Sequence, residues 1–167
     1  MKKLWILMLT LVMMLTFVGS IAMAETESYW GPYSGGLHVD YDPDMFELVD
    51  TFEENGEVSF VYRGESPIPV HMDIRCYPDR DQADVDYEVA GPFEQDGHDA
   101  IIGNNYYDAM SYFYISDVDG VDQWRYVYIL SCMNDVFVID IYEYAGIPSE
   151  INDAINSMLD SFEFGGA

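Results

Sequence analysis

Apolar residues recur at every second position in one short block after another, and this pattern restricts the fold more than any other feature. The run from Ile68 to Tyr77 places apolar side chains at alternate positions, which predicts a strand with one buried face. Similar blocks lie at residues 37–41, 46–51, 58–62, 101–115, 123–132 and 136–144. Turn-forming pairs such as Asn55-Gly56 separate them. We therefore predict a single antiparallel sheet of about six strands.

Two segments have helical spacing instead. Asp79 to Ala90 predicts a short helix with Asp79 as its N-cap. Pro148 and Ser149 open a second helix, and its apolar stripe consists of Ile151, Ala154, Ile155, Met158, Leu159 and Phe162. Because this stripe has to be buried, we expect the helix to pack on the sheet. The predicted fold class is α+β, with a C-terminal helix and a shorter middle helix packed on one sheet.

The turn at residues 133–135 determines which side chains share a face of that sheet. A three-residue loop pairs Cys132 with Val136 and puts an aliphatic set on one side, namely Val127, Ile129, Phe137, Ile139 and Ile141. The opposite side then collects a Tyr-rich face, namely Tyr112, Tyr114, Trp124, Tyr126, Tyr128, Asp140, Tyr142 and Tyr144. A two-residue loop would mix the two sets. We predict the three-residue loop because Asn134 and Asp135 tolerate the left-handed backbone that it requires.

The Tyr-rich face has two interpretations. An open face would form an aromatic platform for a sugar or a peptide, with Arg125 and Asp140 as polar handles. A face covered by helices would be ordinary packing, since aromatic residues are common on sheets. The shape of this face distinguishes a ligand-binding role from a purely structural one.

The N-terminal residues have the pattern of a secretory signal peptide. Lys2 and Lys3 precede an apolar run, and Ala22-Met23-Ala24 supplies the small residues that a signal peptidase reads. We predict a signal peptide over 1–24, a loose segment over 25–36 and a single acidic domain over 37–167. The alternative is an uncleaved membrane anchor, since the apolar run is close to the length that spans a bilayer. The predicted location is secreted or extracytoplasmic.

The charge of the chain excludes two classes of partner. The formal net charge is −25, and removal of Lys2 and Lys3 with the signal peptide makes it −27 and leaves no lysine. Nothing then remains to neutralise a nucleic-acid backbone or an anionic membrane surface. Such a field attracts divalent cations, cationic peptides or basic protein surfaces, or it serves only solubility.

A calcium site is one specific candidate for a bound cation. Asp117, Asp119 and Asp122 lie at nearly alternate positions around Gly120 and resemble part of a calcium loop. The distant glutamate of a full EF-hand is lacking, and the segment joins two strands, so an ordinary hairpin turn is the alternative. No other cofactor is predicted.

Catalytic chemistry has weak support in the sequence. His38, His71 and His98 belong to no recognisable nucleophile motif with Cys76 or Cys132. The two cysteines could form a disulfide in an exported protein or serve as small buried apolar residues. A hydrolase is therefore the least supported of the function classes.

The order of elements resembles the PsbP/Mog1-like fold. The first strand and turn, Leu37 to Pro43, and the closing helix, Ile155 to Phe164 with its Ser-Phe ending, are similar to that superfamily. The resemblance implies an antiparallel sheet with packed helices and a binding or accessory role, since named members assist photosystem II or bind a small GTPase. The lack of lysine after residue 3 departs from the plant photosystem subunits, so their electrostatic docking and functional residues do not transfer. We predict an exported, non-catalytic binding or accessory domain, with a calcium-binding structural domain of the cell envelope as the alternative.

The signal peptide gives the first testable prediction. The secreted protein should begin at Glu25, because the cleavage pattern and the end of the apolar run coincide there. Intact-mass measurement of the protein from the culture medium checks this. Recovery of the full-length chain in the membrane fraction alone would contradict it.

Overall fold

The computed structural model of the chain describes residues 26–31, 36–50, 56–91 and 97–164. The predicted signal peptide lies outside the described residues. Asn55, in the predicted Asn55-Gly56 turn, also lies outside them. Within them, no helix is long and apolar enough to cross a membrane.

Seven antiparallel strands form the main sheet, in the order β3-β4-β5-β9-β8-β7-β6. Their bounds are β3 Phe46–Asp50, β4 Glu57–Tyr62, β5 His71–Tyr77, β6 His98–Ile102, β7 Tyr107–Val118, β8 Val121–Cys132 and β9 Asp135–Tyr144. The long strands β7, β8 and β9 form the predicted meander. The block predicted over 101–115 is two strands, because Gly103 and Tyr106 take up positive φ angles and turn the chain between β6 and β7.

A second sheet of three strands corrects the prediction of a single sheet. It has the order β1-β2-β10, with bounds β1 Glu27–Trp30, β2 Leu37–Tyr41 and β10 Glu163–Phe164. The segment over 25–36 was predicted to be loose, yet it contains β1, whose Tyr29 pairs with Val39 and is buried. The α+β class is confirmed, but a three-stranded sheet joins a seven-stranded one.

The two helices of the described residues lie on opposite sides of the main sheet. Helix α1 spans Gln82–Val89, and its N-cap is Asp81, whose side chain accepts a hydrogen bond from the backbone N–H of Ala83. The predicted N-cap, Asp79, instead has a φ of 54° in the preceding turn. Helix α2 spans Ser149–Ser161 and ends before β10.

The apolar side chains divide into two cores. The larger core contains α2, the three-stranded sheet and one face of the main sheet, with Phe60, Ile139 and Met158 among its buried residues. The smaller core lies under α1, where Val85 packs with Val127 and Val138. Both faces of the main sheet are therefore partly covered.

The register of β8 and β9 differs from the prediction. Cys132 pairs with Asp135, so the loop has two residues, Met133 and Asn134. Met133 takes the left-handed conformation, with a φ of 57°. Asp135 stays in the strand, where it is buried and accepts a hydrogen bond from the backbone N–H of Asp79 at 3.3 Å. This contact with a distant loop favours the shorter turn.

The shorter turn moves every side chain of β9 to the other face relative to β8. Val127 and Ile129 pack under α1, whereas Phe137, Ile139 and Ile141 belong to the core that contains α2. The predicted grouping of these five aliphatic residues on one side is therefore wrong.

The stripe of α2 is buried as predicted, except at Ala154 and Leu159. Ile151, Ile155, Met158 and Phe162 are each at most 4% exposed, whereas Ala154 and Leu159 are half-buried. A charge at one of the fully buried positions would remain unpaired in the core.

We expect Met158→Asp to lower the free energy of unfolding by at least about 3 kcal/mol, through lost packing and an unpaired buried charge. Ser157→Asp adds the same charge at the exposed neighbouring position and should change stability by less than about 1 kcal/mol. Urea unfolding of both variants measures the difference. Equal stability of the two proteins would mean that α2 is not docked on the sheet.

Candidate functional site

The residues of the predicted Tyr-rich face are divided between the two sides of the sheet. Trp124, Tyr126 and Tyr128 alternate along β8 on the side of α2, and Tyr126 and Tyr128 line a cavity with residues of that helix. Tyr112 and Tyr114 lie on the side of α1, as do Asp140 and Tyr142. Tyr144, at the end of β9, packs against the larger core.

The cavity between α2 and strands β8 and β9 has a volume of about 180 Å³. Its lining residues are Tyr126, Tyr128, Ile141, Glu143, Asn152, Ile155, Asn156 and Leu159. Alternation along β8 and β9 brings the first four to one face of the sheet, and spacings of three and four along α2 bring the others to one side of the helix. The site thus combines an apolar wall with several polar groups, as small-molecule sites do.

Glu143 is the buried charge-bearing group of this cavity, with only 4% of its surface exposed. Burial raises the pKa of its carboxyl group, and a hydrogen bond from the Tyr126 hydroxyl group lowers it in part. Burial, together with Glu143, raises the pKa of Tyr126 to about 12. Burial and the charge of Glu143 also raise the pKa of Tyr128. The tyrosines are therefore neutral hydrogen-bond donors at neutral pH, and Glu143 is the group that titrates.

An aromatic patch, defined here as Phe113, Ile115, Trp124 and Tyr126, adjoins the cavity. The Phe113 ring lies 4.8 Å from the Tyr126 ring and 5.9 Å from the Trp124 ring, between centroids. Phe113 is 37% exposed and Ile115 is 59% exposed. Because Tyr126 belongs to both the patch and the cavity lining, the two surfaces are continuous.

Asp140, on the side of α1, is satisfied within the fold. It is 1% exposed, and both Arg75 and Arg125 bind its carboxylate, the Nε of Arg125 at 2.7 Å. The Arg125 guanidinium lies 5.3 Å from the centroid of the Tyr142 ring, on which His71 stacks at 4.4 Å. Asp140 and Arg125 on this side therefore make contacts within the fold.

Helix α1 covers the other tyrosines on this side. Tyr112 donates a hydrogen bond to Asp86 of α1 and stacks with Tyr114 at 6.5 Å between ring centroids. Both residues are at least nine-tenths buried. The structure therefore offers no open platform at Tyr112 and Tyr114.

The predicted calcium residues lie in the hairpin between β7 and β8. Asp119 and Gly120 have φ angles of 54° and 83°, which is the geometry of a two-residue type I′ turn. The backbone N–H of Gly120 donates to Asp117 at 3.1 Å, and Asp117 pairs with Asp122 across the strands. In the described part of the chain, no three His, Cys, Asp or Glu side chains are grouped to hold a metal. Calcium binding stays a prediction.

Cys76 and Cys132 are free thiols in the structure. Strand β9 lies between their strands, which puts them about 9.5 Å or more apart, beyond the roughly 7 Å that a disulfide spans. Burial raises the pKa of Cys76 to about 12. The alternative that they are small, partly buried apolar residues agrees with this arrangement.

The three histidines lie in separate places. His38 is 3.0 Å from Asp40 on the same strand of the small sheet, His71 stacks on Tyr142, and His98 begins the edge strand β6. The structure does not bring them together as zinc ligands or beside a cysteine. The hydrolase interpretation gains no support from their positions.

Sequence reasoning missed Glu143, Asn152 and Asn156. Glu143 pairs with Trp124 across β8 and β9, so the correct register would have pointed to it. Asn152 and Asn156 lie outside the apolar stripe of α2, and the docking of the helix beside Glu143 makes them part of the site.

No protein-family model matches the chain, and no curated protein matches it. Among solved structures, a protein from Bacteroides thetaiotaomicron VPI-5482 superposes with a TM-score of 0.57 at 11% identity, covering 78% of this chain. The chain spans 45% of the length of that protein. LpqN, involved in cell envelope biogenesis of Mycobacterium tuberculosis, has a TM-score of 0.54 at 16% identity, covering 85% of this chain and 92% of LpqN.

PsbP (CyanoP) from the cyanobacterium Synechocystis sp. PCC 6803 has a TM-score of 0.45 at 14% identity, covering 87% of this chain and 96% of that protein. At such identities a likeness concerns the fold alone. The superposition with LpqN shows that the two proteins share a fold, and the resemblance to the PsbP/Mog1-like superfamily stays a prediction.

The raised pKa of Glu143 predicts a pH-dependent difference from Glu143→Gln. A carboxyl group with a pKa above its ordinary value of 4.5 stabilises the fold below that value, and this contribution is lost as pH rises through the folded-state pKa. The glutamine variant lacks this loss, so its melting temperature relative to wild type should increase between pH 4 and pH 8. Thermal melts across this range measure the difference. A constant difference would contradict the raised pKa.

Proposed function

We propose that this domain is a non-catalytic binding or accessory module that acts outside the cytoplasm, and that it holds its ligand in the cavity beside α2. The observation that carries the proposal is the position of Glu143, a carboxyl group 4% exposed in a cavity lined by two tyrosines and two asparagines. Burial of a carboxyl group is costly unless it is compensated. Such a group in a concave site is a common mark of a functional site.

The composition of the cavity favours binding over hydrolysis. Glycoside hydrolysis uses two carboxyl groups on either side of the scissile bond, whereas Glu143 is the only acidic residue among the described residues that line this cavity. Nucleophilic catalysis needs a nucleophile and a base within hydrogen-bond reach, and His38, His71 and His98 line other parts of the fold. A small group held by hydrogen bonds and aromatic contacts fits this cavity better.

The proposed location rests on the signal-peptide pattern of residues 1–24. LpqN, whose fold is similar, is involved in cell envelope biogenesis in its own organism. Its involvement agrees with a role outside the cytoplasm for this chain.

The proposal is tested by filling the cavity. Leu159 lines it from α2, and the indole ring that Leu159→Trp introduces should fill the cavity. Isothermal titration of the purified protein with neutral oligosaccharides, small amines and lysine-containing peptides should identify a ligand of the wild type. We expect its affinity to fall at least tenfold in Leu159→Trp.

Ser157→Trp is the matched control, because it places the same ring on the exposed side of the same helix. It should bind like the wild type. Binding unchanged in Leu159→Trp, or lost equally in both variants, would overturn the assignment of the site. Absence of any ligand in the panel for the wild type would count against a binding role.

A further inference from the structure

Glu143 has no cationic partner in the described part of the chain. Only four arginines and no lysine follow Lys3. Each arginine is paired elsewhere: Arg63 with Glu47, Arg80 with Glu88, and both Arg75 and Arg125 with Asp140. The Tyr126 hydroxyl group supplies a hydrogen bond to Glu143 but no charge. Among the described residues, the ionised carboxylate therefore has no counter-charge, which a cation that enters the cavity would supply.

The net negative charge of the protein favours a positively charged ligand. With a formal net charge of −25, the field around the domain repels anions and concentrates cations. A neutral sugar would leave Glu143 without a counter-charge. A cation that enters the cavity relieves both the local cost of the buried carboxylate and part of the general repulsion.

The lining of the cavity matches a primary ammonium group on a short alkyl chain. About 180 Å³ is close to the size of a cavity that holds one small organic molecule. Ile141, Ile155 and Leu159 offer apolar contact to carbon atoms, while the rings of Tyr126 and Tyr128 attract a cation. An ammonium group has three N–H donors, and the Glu143 carboxylate and the amide oxygens of the asparagines are acceptors for them.

We propose that the cavity binds an alkylammonium group, from either a free small amine or a lysine side chain, with Glu143 as its counter-ion. This inference rests on the proposed function, since it names the ligand class of the same site. The aromatic patch beside the cavity would contact the rest of a peptide whose lysine enters it.

The experiment is isothermal titration of the full protein with n-butylammonium and, as a neutral probe of similar shape, n-butanol. We expect the ammonium to bind and n-butanol to bind at least tenfold more weakly. Glu143→Gln should weaken ammonium binding at least tenfold. Asp153→Asn removes the same charge from an exposed position on α2 and should change the affinity by less than twofold.

A second pair of variants guards against a folding defect in Glu143→Gln. Asn156→Lys places an ammonium group at the cavity, where it should pair with Glu143. We expect this variant to bind n-butylammonium at least tenfold more weakly and to have a higher melting temperature. Ser157→Lys makes the same change in charge on the exposed side of the helix and should leave the affinity within about twofold of wild type. Melting curves confirm that each variant is folded.

The outcomes separate the inference from the proposed function. If Glu143→Gln and Asp153→Asn lower the affinity for n-butylammonium equally, the attraction comes from the overall negative charge and not from Glu143. This result would overturn the inference. If an oligosaccharide binds, is blocked by Leu159→Trp, and n-butylammonium does not bind, the binding role stands and the ammonium assignment fails. If neither binds, both fail.

The source of the ammonium group is read from a lysine-containing peptide and from Phe113→Ser in the aromatic patch. If the peptide binds at least tenfold more tightly than n-butylammonium does, and Phe113→Ser weakens this binding, the natural ligand is a lysine side chain. Equal affinities that Phe113→Ser does not change identify a free amine. Replacement of the lysine by norleucine in the peptide should abolish binding, and unchanged binding of that peptide would overturn the inference.

Discussion

The pairing of β8 with β9 decides what both faces of the main sheet are made of. A two-residue turn at Met133 and Asn134 pairs Cys132 with Asp135, and from that pairing the side of every residue in both strands follows. Phe137, Ile139 and Ile141 then build the core that receives α2. The same alternation turns Glu143 toward that helix and Asp140 away from it. One turn thus determines the packing of the helix and the composition of the cavity beside it.

The sequence predicted those parts of the fold whose signals are local. The bounds of β2 match, and the apolar stripe of α2 is buried except at Ala154 and Leu159, because period-two and helical patterns are properties of a single segment. The second sheet was missed, since β1 has four residues and β10 has two, too few for periodicity to show. The register of β8 and β9 was missed for another reason, because Asp135 is held in its strand by the loop before α1. A contact between segments 56 residues apart leaves no mark on either one alone.

The candidate site could be predicted only in part from the sequence, for the same reason. Tyr126 and Tyr128 were expected to lie on an aromatic face, and they do line a cavity, but with Glu143 and two asparagines instead of the other tyrosines. Tyr112 and Tyr114 have a packing role under α1. An error of one residue in register exchanges Asp140 for Glu143 as the acid beside Tyr126. Site prediction in a sheet is therefore only as good as the pairing on which it rests.

Asp140 and Glu143 show how a chain with few cations distributes them. Both carboxyl groups are at least 96% buried, and they lie three residues apart on opposite faces of one strand. Two of the four arginines after Lys3 converge on Asp140 and satisfy its charge, and the Arg125 guanidinium also lies over the Tyr142 ring. A fold that needed both acids only for packing could have placed one of these arginines beside Glu143, or an apolar residue in its place, at lower electrostatic cost. The concentration of positive charge on Asp140, with none on Glu143, is why the cavity beside α2 is the place where an external cation has a physical reason to bind.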